Sequence, residues 1–250
     1  GKPFSNICEF AQELASAPLV HQPGEKWTYG VGMDLLGCII EKVSGMTFGN
    51  FMKENIFEPL DMKDTAFAVP ESEINRFTSM YTHKGASVGD IQREFNDEIF
   101  PNDLILMDSY EDSPYLKMNK VEDGGSGLIS TAEDYLKFGQ MLNDRGSFEG
   151  KTILSENAFA MLSGSYMEDF GLLGIVSLGV GQAICMAKIT NPAFSQYYQS
   201  EGSLFWGGAA STIFWADPVD DLVLVHMTQV LGHPVDLRAE LDRLTYSSRN

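Results

Sequence analysis

Positive charge is scarce in this chain. Seventeen lysines and arginines stand against 35 aspartates and glutamates, a formal net charge of −18 over 250 residues. No basic run occurs, which argues against nucleic acid and anionic membrane surfaces as partners and leaves solubility as the plain role of the acid. Cysteine is nearly absent as well. Cys8, Cys38 and Cys185 are widely spaced, match no disulfide framework or metal pattern, and read as including buried thiols. Four scattered histidines form no ligand cluster, and neither HExxH nor a calcium loop occurs, so no metal is expected. No apolar run reaches the length of a membrane-spanning helix and no cationic-then-apolar signal opens the chain, so no membrane insertion is expected. The opening Gly1-Lys2-Pro3-Phe4 lacks an initiator methionine and is read as lying downstream of a natural start. These features assign neither compartment nor oligomeric state.

What is present is an ordinary globular composition, 44% hydrophobic with 24 glycines and 10 prolines, enough for a core in one or two domains. Apolar spacing predicts helices over about 5–16 and 33–43, and another that begins after Thr47 and ends at Pro59. A short strand is expected near Ala66 to Val69, followed by an irregular acidic stretch to Asp123. Ser130 and Glu133 read as a capping box that opens a helix ending near Gly146, and Ser155 as the cap of a further short helix. From about Leu173 the character turns to β. Ile213-Phe214-Trp215, the turn Asp217 to Asp221 and the run after Leu222 read as an antiparallel hairpin, with Leu222 to Val230 apolar enough for a central strand. Pro234 opens a closing helix with Leu237, Leu241 and Leu244 facing inward. The expected division is a mainly helical region, 1–172, and a region of antiparallel strands with its closing helix, 173–250.

The stretch Pro23-Gly24-Glu25-Lys26-Trp27-Thr28-Tyr29-Gly30-Val31-Gly32 combines a turn dipeptide with a tyrosine on a glycine-loosened loop. The glycines flanking Val31 suggest that the backbone passes close to something there. Beyond them Leu35, Leu36, Ile39, Ile40 and Val43 recur at helical spacing and give one apolar face. Taken alone, Tyr29 reads as a tyrosine that packs its ring and wets its hydroxyl.

Three separate stretches, in order, change that reading. The segment from Pro23 to Phe67, the segment Gly124-Gly125-Ser126-Gly127 with its helix to Leu142, and the segment Phe205-Trp206-Gly207-Gly208-Ala209 through Gln229 together resemble the serine β-lactamase-related family. That family includes penicillin-binding proteins, class C β-lactamases and family VIII esterases. The resemblance implies an α/β (α+β) fold of the β-lactamase/transpeptidase type, a helical subdomain joined to an antiparallel sheet flanked by helices. It implies that Tyr29 is the family's proton-transferring tyrosine, paired with a lysine because a free phenol, with a pKa of about 10, is a poor base at neutral pH. By the same resemblance Trp206, Gly207 and Gly208 stand where other members carry Lys-Thr-Gly or His-x-Gly, and line the substrate with Val31. The backbone N–H of Ala209 then aligns with the oxyanion-hole donor, a group that can matter by ~3 kcal/mol in the transition state. Seen alone, Trp206 is an ordinary strand aromatic, and Ser130, Thr131 and Asp134 are sufficiently explained as a helix cap.

The family's Ser-x-x-Lys does not occur. No lysine has a serine three residues before it, the nearest imitation being Cys185-Met186-Ala187-Lys188 in an expected strand, and Gly-x-Ser-x-Gly is absent too. The chain is therefore expected to be the C-terminal portion of a longer protein, lacking the nucleophile and the N-terminal part of the α/β domain, with open strand edges and uncovered apolar surface. Val31 replaces the asparagine of a Tyr-x-Asn motif and Trp206 replaces a lysine. Both changes move the site away from anionic substrates and toward neutral acyl groups. The resemblance thus implies carboxylic ester hydrolysis through an acyl-enzyme, on a small-molecule ester or amide substrate and without cofactor. The alternatives are β-lactamase or D-amino-acid peptidase activity, or a noncatalytic relative that binds a ligand or partner in the same cleft.

Overall fold

The structure is a computed structural model that describes residues 4–83, 104–116, 121–167, 171–172, 175–176, 178–232 and 237–248. Its helices are α1 (Ile7–Leu14), α2 (Gly32–Ser44), α3 (Phe48–Met52), α4 (Ala132–Asn143), α5 (Glu156–Leu162) and α6 (Leu237–Ser247). A π-turn, Lys53–Phe57, continues α3 to the neighbourhood of Pro59. The strands are β1 (Met80–His83), β2 (Leu104–Asp108), β3 (Ser147–Phe148), β4 (Lys151–Thr152), β5 (Gly171–Leu172), β6 (Ile175–Val176), β7 (Val180–Gln182), β8 (Ala187–Ile189), β9 (Leu204–Gly207), β10 (Ile213–Asp217), β11 (Leu222–His226) and β12 (Val230–Leu231). Among the described residues no helix is long and apolar enough to cross a membrane.

The main sheet has five strands in the order β11-β10-β9-β8-β7, every neighbour antiparallel. The hairpin expected around the 217–221 turn is present, with Ile213 opposite His226 and Asp217 opposite Leu222. Strand β10 lies inside the sheet, between β11 and β9, and is buried at all five residues, whereas β11 is a half-buried edge. The Leu222 to Val230 run is therefore not one central strand. It ends at His226, and Val230-Leu231 leaves to pair in parallel with β1 in a second sheet, β12-β1-β2. Helices cover both faces of the main sheet. Phe214 and Ala216 pack with Phe57, Leu60, Met141 and Leu142 beneath α4, while Ile213 and Trp215 pack with Leu237, Leu241 and Tyr246 of α6. A strand covered on both faces takes apolar residues on both sides, which is why Ile213 to Ala216 of β10 show no alternation before the buried Asp217.

Several expectations are corrected. Cys8 and Cys38 are bonded to each other, joining α1 to α2 with their Cα atoms 4.9 Å apart, so they are not buried thiols. Cys185 lies in the exposed turn between β7 and β8, at φ 62°, rather than within a strand. The cap of α4 is Thr131, whose hydroxyl accepts the Asp134 N–H, while Ser130 bonds to Thr65 instead. Ala66 makes only an isolated bridge to Ile129, with no strand to Val69. Leu244 is exposed, and α6 turns Asp242 inward in its place. Pro234 lies outside the described residues.

Around α6 sits a buried polar network. Burial, the largest single influence, pushes the Asp217 carboxyl up, but hydrogen bonds from the Ser200 N–H, the Tyr246 hydroxyl and the Asp220 N–H together hold it below the usual range. Asp242 goes the other way. Burial lifts it, the negative charge of Asp217 adds to the lift, and the bond from the Tyr198 N–H only partly offsets them. The folded state thus holds the Asp242 proton more tightly than the unfolded chain does. The stability Asp242 contributes is complete below the unfolded carboxylate pKa and is lost as pH rises through its folded value.

Two outcomes follow for stability. Asp242→Asn keeps an acceptor for Tyr198 and removes the buried charge. Urea unfolding of the variant at pH 7 should show a gain of about 1 kcal/mol, shrinking toward pH 4; a loss at pH 7 contradicts the assignment. Breaking Cys8–Cys38, which closes a loop across 30 residues, should cost roughly 2–4 kcal/mol, read as a lower urea midpoint for Cys8→Ser or under reductant.

Candidate functional site

The loop that carries Tyr29 is shaped locally before it is packed. Gly24 takes φ 86°, closing the turn in which the Glu25 N–H bonds to the Gln22 carbonyl at 3.2 Å. His21 spans the loop, its Nδ1 3.1 Å from the Gln22 carbonyl oxygen and its Nε2 2.7 Å from the Thr28 hydroxyl. The Nδ1–carbonyl contact puts the ring proton on Nδ1 in the neutral form, so Nε2 accepts from Thr28. Trp27 lies half-buried against the cluster beneath α6, and its ring meets that of Tyr29 edge-on at 6.1 Å. Tyr29 itself is 58% exposed and its hydroxyl bonds to no described residue. The neighbouring tryptophan thus does the packing, and the tyrosine is left free.

Val31 is the N-cap residue of α2, exposed, and supplies no side-chain hydrogen bond. A Cβ added at Gly30 or Gly32 meets no atom within 4 Å, so the close approach expected of these glycines is made by nothing in the described chain. The contact comes further on. Asp34, in the first turn of α2, is buried and accepts the Gly125 N–H at 3.0 Å, and a Cβ at Gly124 would stand 2.4 Å from the Met33 carbonyl oxygen. The glycine turn 124–127 is thus pressed against the start of α2. The apolar row expected to be the buried face of α2 points outward, with Leu35, Leu36, Ile39 and Val43 all exposed.

Trp206 and Gly207 end β9, paired with Phe214 and Ile213 of β10. Trp206 is half-buried and touches the clusters on both sides of the sheet. A Cβ at Gly207 would lie 2.5 Å from the terminal guanidinium of Arg238, which sits over the Phe205 ring at 5.0 Å and would have to shift, and 3.0 Å from the Thr212 carbonyl oxygen. Gly208 and Ala209 form the exposed tip of the β9–β10 hairpin, closed by bonds from the Gly208 N–H to the Thr212 carbonyl and from the Ser211 N–H to the Gly208 carbonyl. Neither bond uses the Ala209 N–H, which has no partner among the described residues.

The Tyr29 loop and the Trp206 strand meet through one cluster, since Trp27, Phe205 and Trp206 all belong to it. A cavity of about 640 Å³ opens elsewhere, at the Leu204 and Ala216 ends of β9 and β10, and includes none of these residues. Among the described residues no group of three or more His, Cys, Asp or Glu is placed to hold a metal ion. The residue that sequence reasoning passed over is Asp34. Its one signal was a carboxylate in the first turn of α2, beside the apolar row.

A family model described as Beta-lactamase matches residues 4–247. Protein Rv1367c of Mycobacterium tuberculosis strain H37Rv is 30% identical over 224 residues, which cover 86% of this chain and 52% of that protein. Esterase EstB of Burkholderia gladioli is 26% identical over 223 residues, 89% of this chain and 54% of the esterase. The chain spans about half the length of these curated relatives. Among solved structures, EstCE1, titled a hydrolase with promiscuous acyltransferase activity, superposes with a TM-score of 0.75 at 22% identity, over 97% of this chain and 62% of that one. At that identity the likeness establishes the β-lactamase/transpeptidase-like fold.

The glycines separate cleanly by the space around them. Gly30→Ala should change the unfolding free energy from urea titration by no more than about 0.5 kcal/mol, whereas Gly124→Ala, which meets a backbone carbonyl, should cost ~2 kcal/mol or more. Equal costs would show that the glycine turn does not press on α2 as described.

Proposed function

Because this chain belongs to the beta-lactamase family, we propose that the complete protein hydrolyses a carboxylic ester through an acyl-serine intermediate. Tyr29 shuttles the protons and the Ala209 N–H is one of two oxyanion donors. The observation that carries this reading is the Tyr29 hydroxyl, unengaged among the described residues and held out on a loop that Trp27 anchors to the cluster beneath α6. A packing tyrosine would bury its ring. Here Trp27 takes that place.

The serine and lysine come from sequence outside these 250 residues, since no Ser-x-x-Lys occurs within them. Two surfaces support the presence of a further segment: the outward apolar row of α2 and the edge of β11 that pairs with no other described strand. In the acylation step the serine oxygen attacks the ester carbonyl, and its proton passes to the Tyr29 phenolate, stabilised by the lysine ammonium. The tetrahedral oxyanion sits against the Ala209 N–H and the serine's own N–H. On collapse the alcohol leaves with the proton returned by Tyr29. Water then repeats the sequence on the acyl-serine and releases the acid.

Esters are favoured over β-lactams because Val31 and Trp206 supply neither the amide nor the cation that an anionic substrate uses, and because EstB is an esterase by name. In the complete protein Tyr29→Phe should lower kcat on p-nitrophenyl butyrate by about 10²–10⁴-fold. KM and the melting temperature should stay put, because the lost hydroxyl bonds to no described residue. Undiminished turnover removes Tyr29 from the mechanism. Faster turnover of nitrocefin than of the ester would favour the β-lactamase alternative, and no turnover of either would favour the binding protein.

A further inference from the structure

We infer that Asp34 is a positioning residue for Tyr29: through the Gly125 N–H it fixes the first turn of α2, and with it the height of the tyrosine loop. The activity arm of this inference rests on the proton-transfer role proposed for Tyr29. The structural arm does not.

The start of α2 has little of its own to hold it. Val31, at the N-cap, gives no side-chain bond to the first N–H groups, and a helix start without a cap frays. Along the rest of α2 the apolar side chains Leu35, Leu36, Ile39 and Val43 face outward, and only Asp34 and Gly37 are buried. Gly37 rests on Phe48 and Ile7, one turn further along and beside the Cys38 disulfide. The first turn therefore has one side-chain anchor, Asp34, five residues from Tyr29. At 8% exposure its carboxylate does not fold back to cap its own helix but accepts an N–H from a residue 91 positions away. A carboxylate acceptor makes that bond charge-assisted.

The receiving turn is rigid enough to serve as an anchor. Ser126 donates from both N–H and hydroxyl to Asp123 Oδ1, at 2.6 and 3.0 Å, and the Gly127 N–H bonds to the Asp123 carbonyl. The Tyr115 hydroxyl bonds to the Ser126 carbonyl at 2.6 Å, and Glu122 accepts the Gly49 N–H of α3 at 2.7 Å. A Cβ at Gly125 would come within 3.3 Å of Asp34 Oδ2, so the contact also depends on glycine there. On the other side of Tyr29, Trp27 is held in the cluster beneath α6. Tyr29 thus hangs between two fixed points, and removing one leaves the hydroxyl free to wander.

Amide hydrogen exchange in the complete protein tests this directly. Asp34→Ala should speed exchange in the segment 28–36 about tenfold or more, with β9 and β10 unchanged. Asp34→Asn, which keeps an oxygen for the Gly125 N–H, should stay near the parent protein. Exchange in Asp34→Ala that matches the parent overturns the inference whatever the activity. Should Asp34→Ala not fold, Asp34→Ser, with its shorter reach, is read in the same way. On p-nitrophenyl butyrate Asp34→Ala should lose kcat by roughly 10–100-fold with KM little changed, and Asp34→Asn should restore most of it. Ser155→Ala, which removes the side-chain cap of α5 and touches neither α2 nor the glycine turn, controls for general destabilisation; an equal loss of kcat there overturns the positioning role. If exchange behaves as described while Tyr29→Phe keeps full turnover, the proton-transfer reading falls and the anchoring of the loop stands.

Discussion

Everything in the site depends on β10 being covered on both faces. Phe214 and Ala216 close against α4 and the 57–62 segment, and Ile213 and Trp215 close against α6. Burying a large apolar side chain contributes about 1.5–3 kcal/mol, so these few residues rival the entire net stability of an ordinary domain, about 5–15 kcal/mol. β10 holds β9 in register. That register sets where Trp206, Gly207 and the Ala209 turn emerge. The α6 cluster also takes in Trp27, so the packing that orders the strand orders the tyrosine loop as well.

A chain so poor in positive charge has few ammonium or guanidinium partners to offer its buried acids, and it satisfies them largely from the main chain. Asp34 accepts from Gly125, Asp217 from Ser200, Val219 and Asp220, and Asp242 from Tyr198. Asp134 accepts from the Asp64 N–H and the Thr65 hydroxyl, with Lys137 as an additional ionic partner. Most of these bonds tie segments distant in sequence. Two of the carboxyls are pushed in opposite directions within one network, because Asp217 has several donors and Asp242 has one backbone donor beside a like charge. Hydrogen-bond supply, more than burial, decides the direction in which each of them is shifted.

The site groups lie where the chain changes direction: a loop before a helix and the tip of a hairpin. Such places leave polar groups unpaired, and both the Tyr29 hydroxyl and the Ala209 N–H are unpaired among the described residues. Rigid elements directly behind them keep that freedom from becoming disorder.

The sequence by itself determined the family and its fold, the order of the helices, the hairpin around Asp217 to Asp221, and the candidate residues from Tyr29 to Ala209. Those features are written in local chemistry: a Pro-Gly turn, helical spacing, caps, and motifs read within a few residues. Only the tertiary structure decided which faces are inside. The apolar row of α2 points outward and Asp34 inward, although helical spacing alone would place them the other way. It likewise paired Cys8 with Cys38, put β10 inside the sheet and β11 at its edge, and pressed Gly124 rather than Gly30 against its neighbour. Each of these depends on which distant segment arrives at a surface, and periodicity reports a face without reporting what covers it.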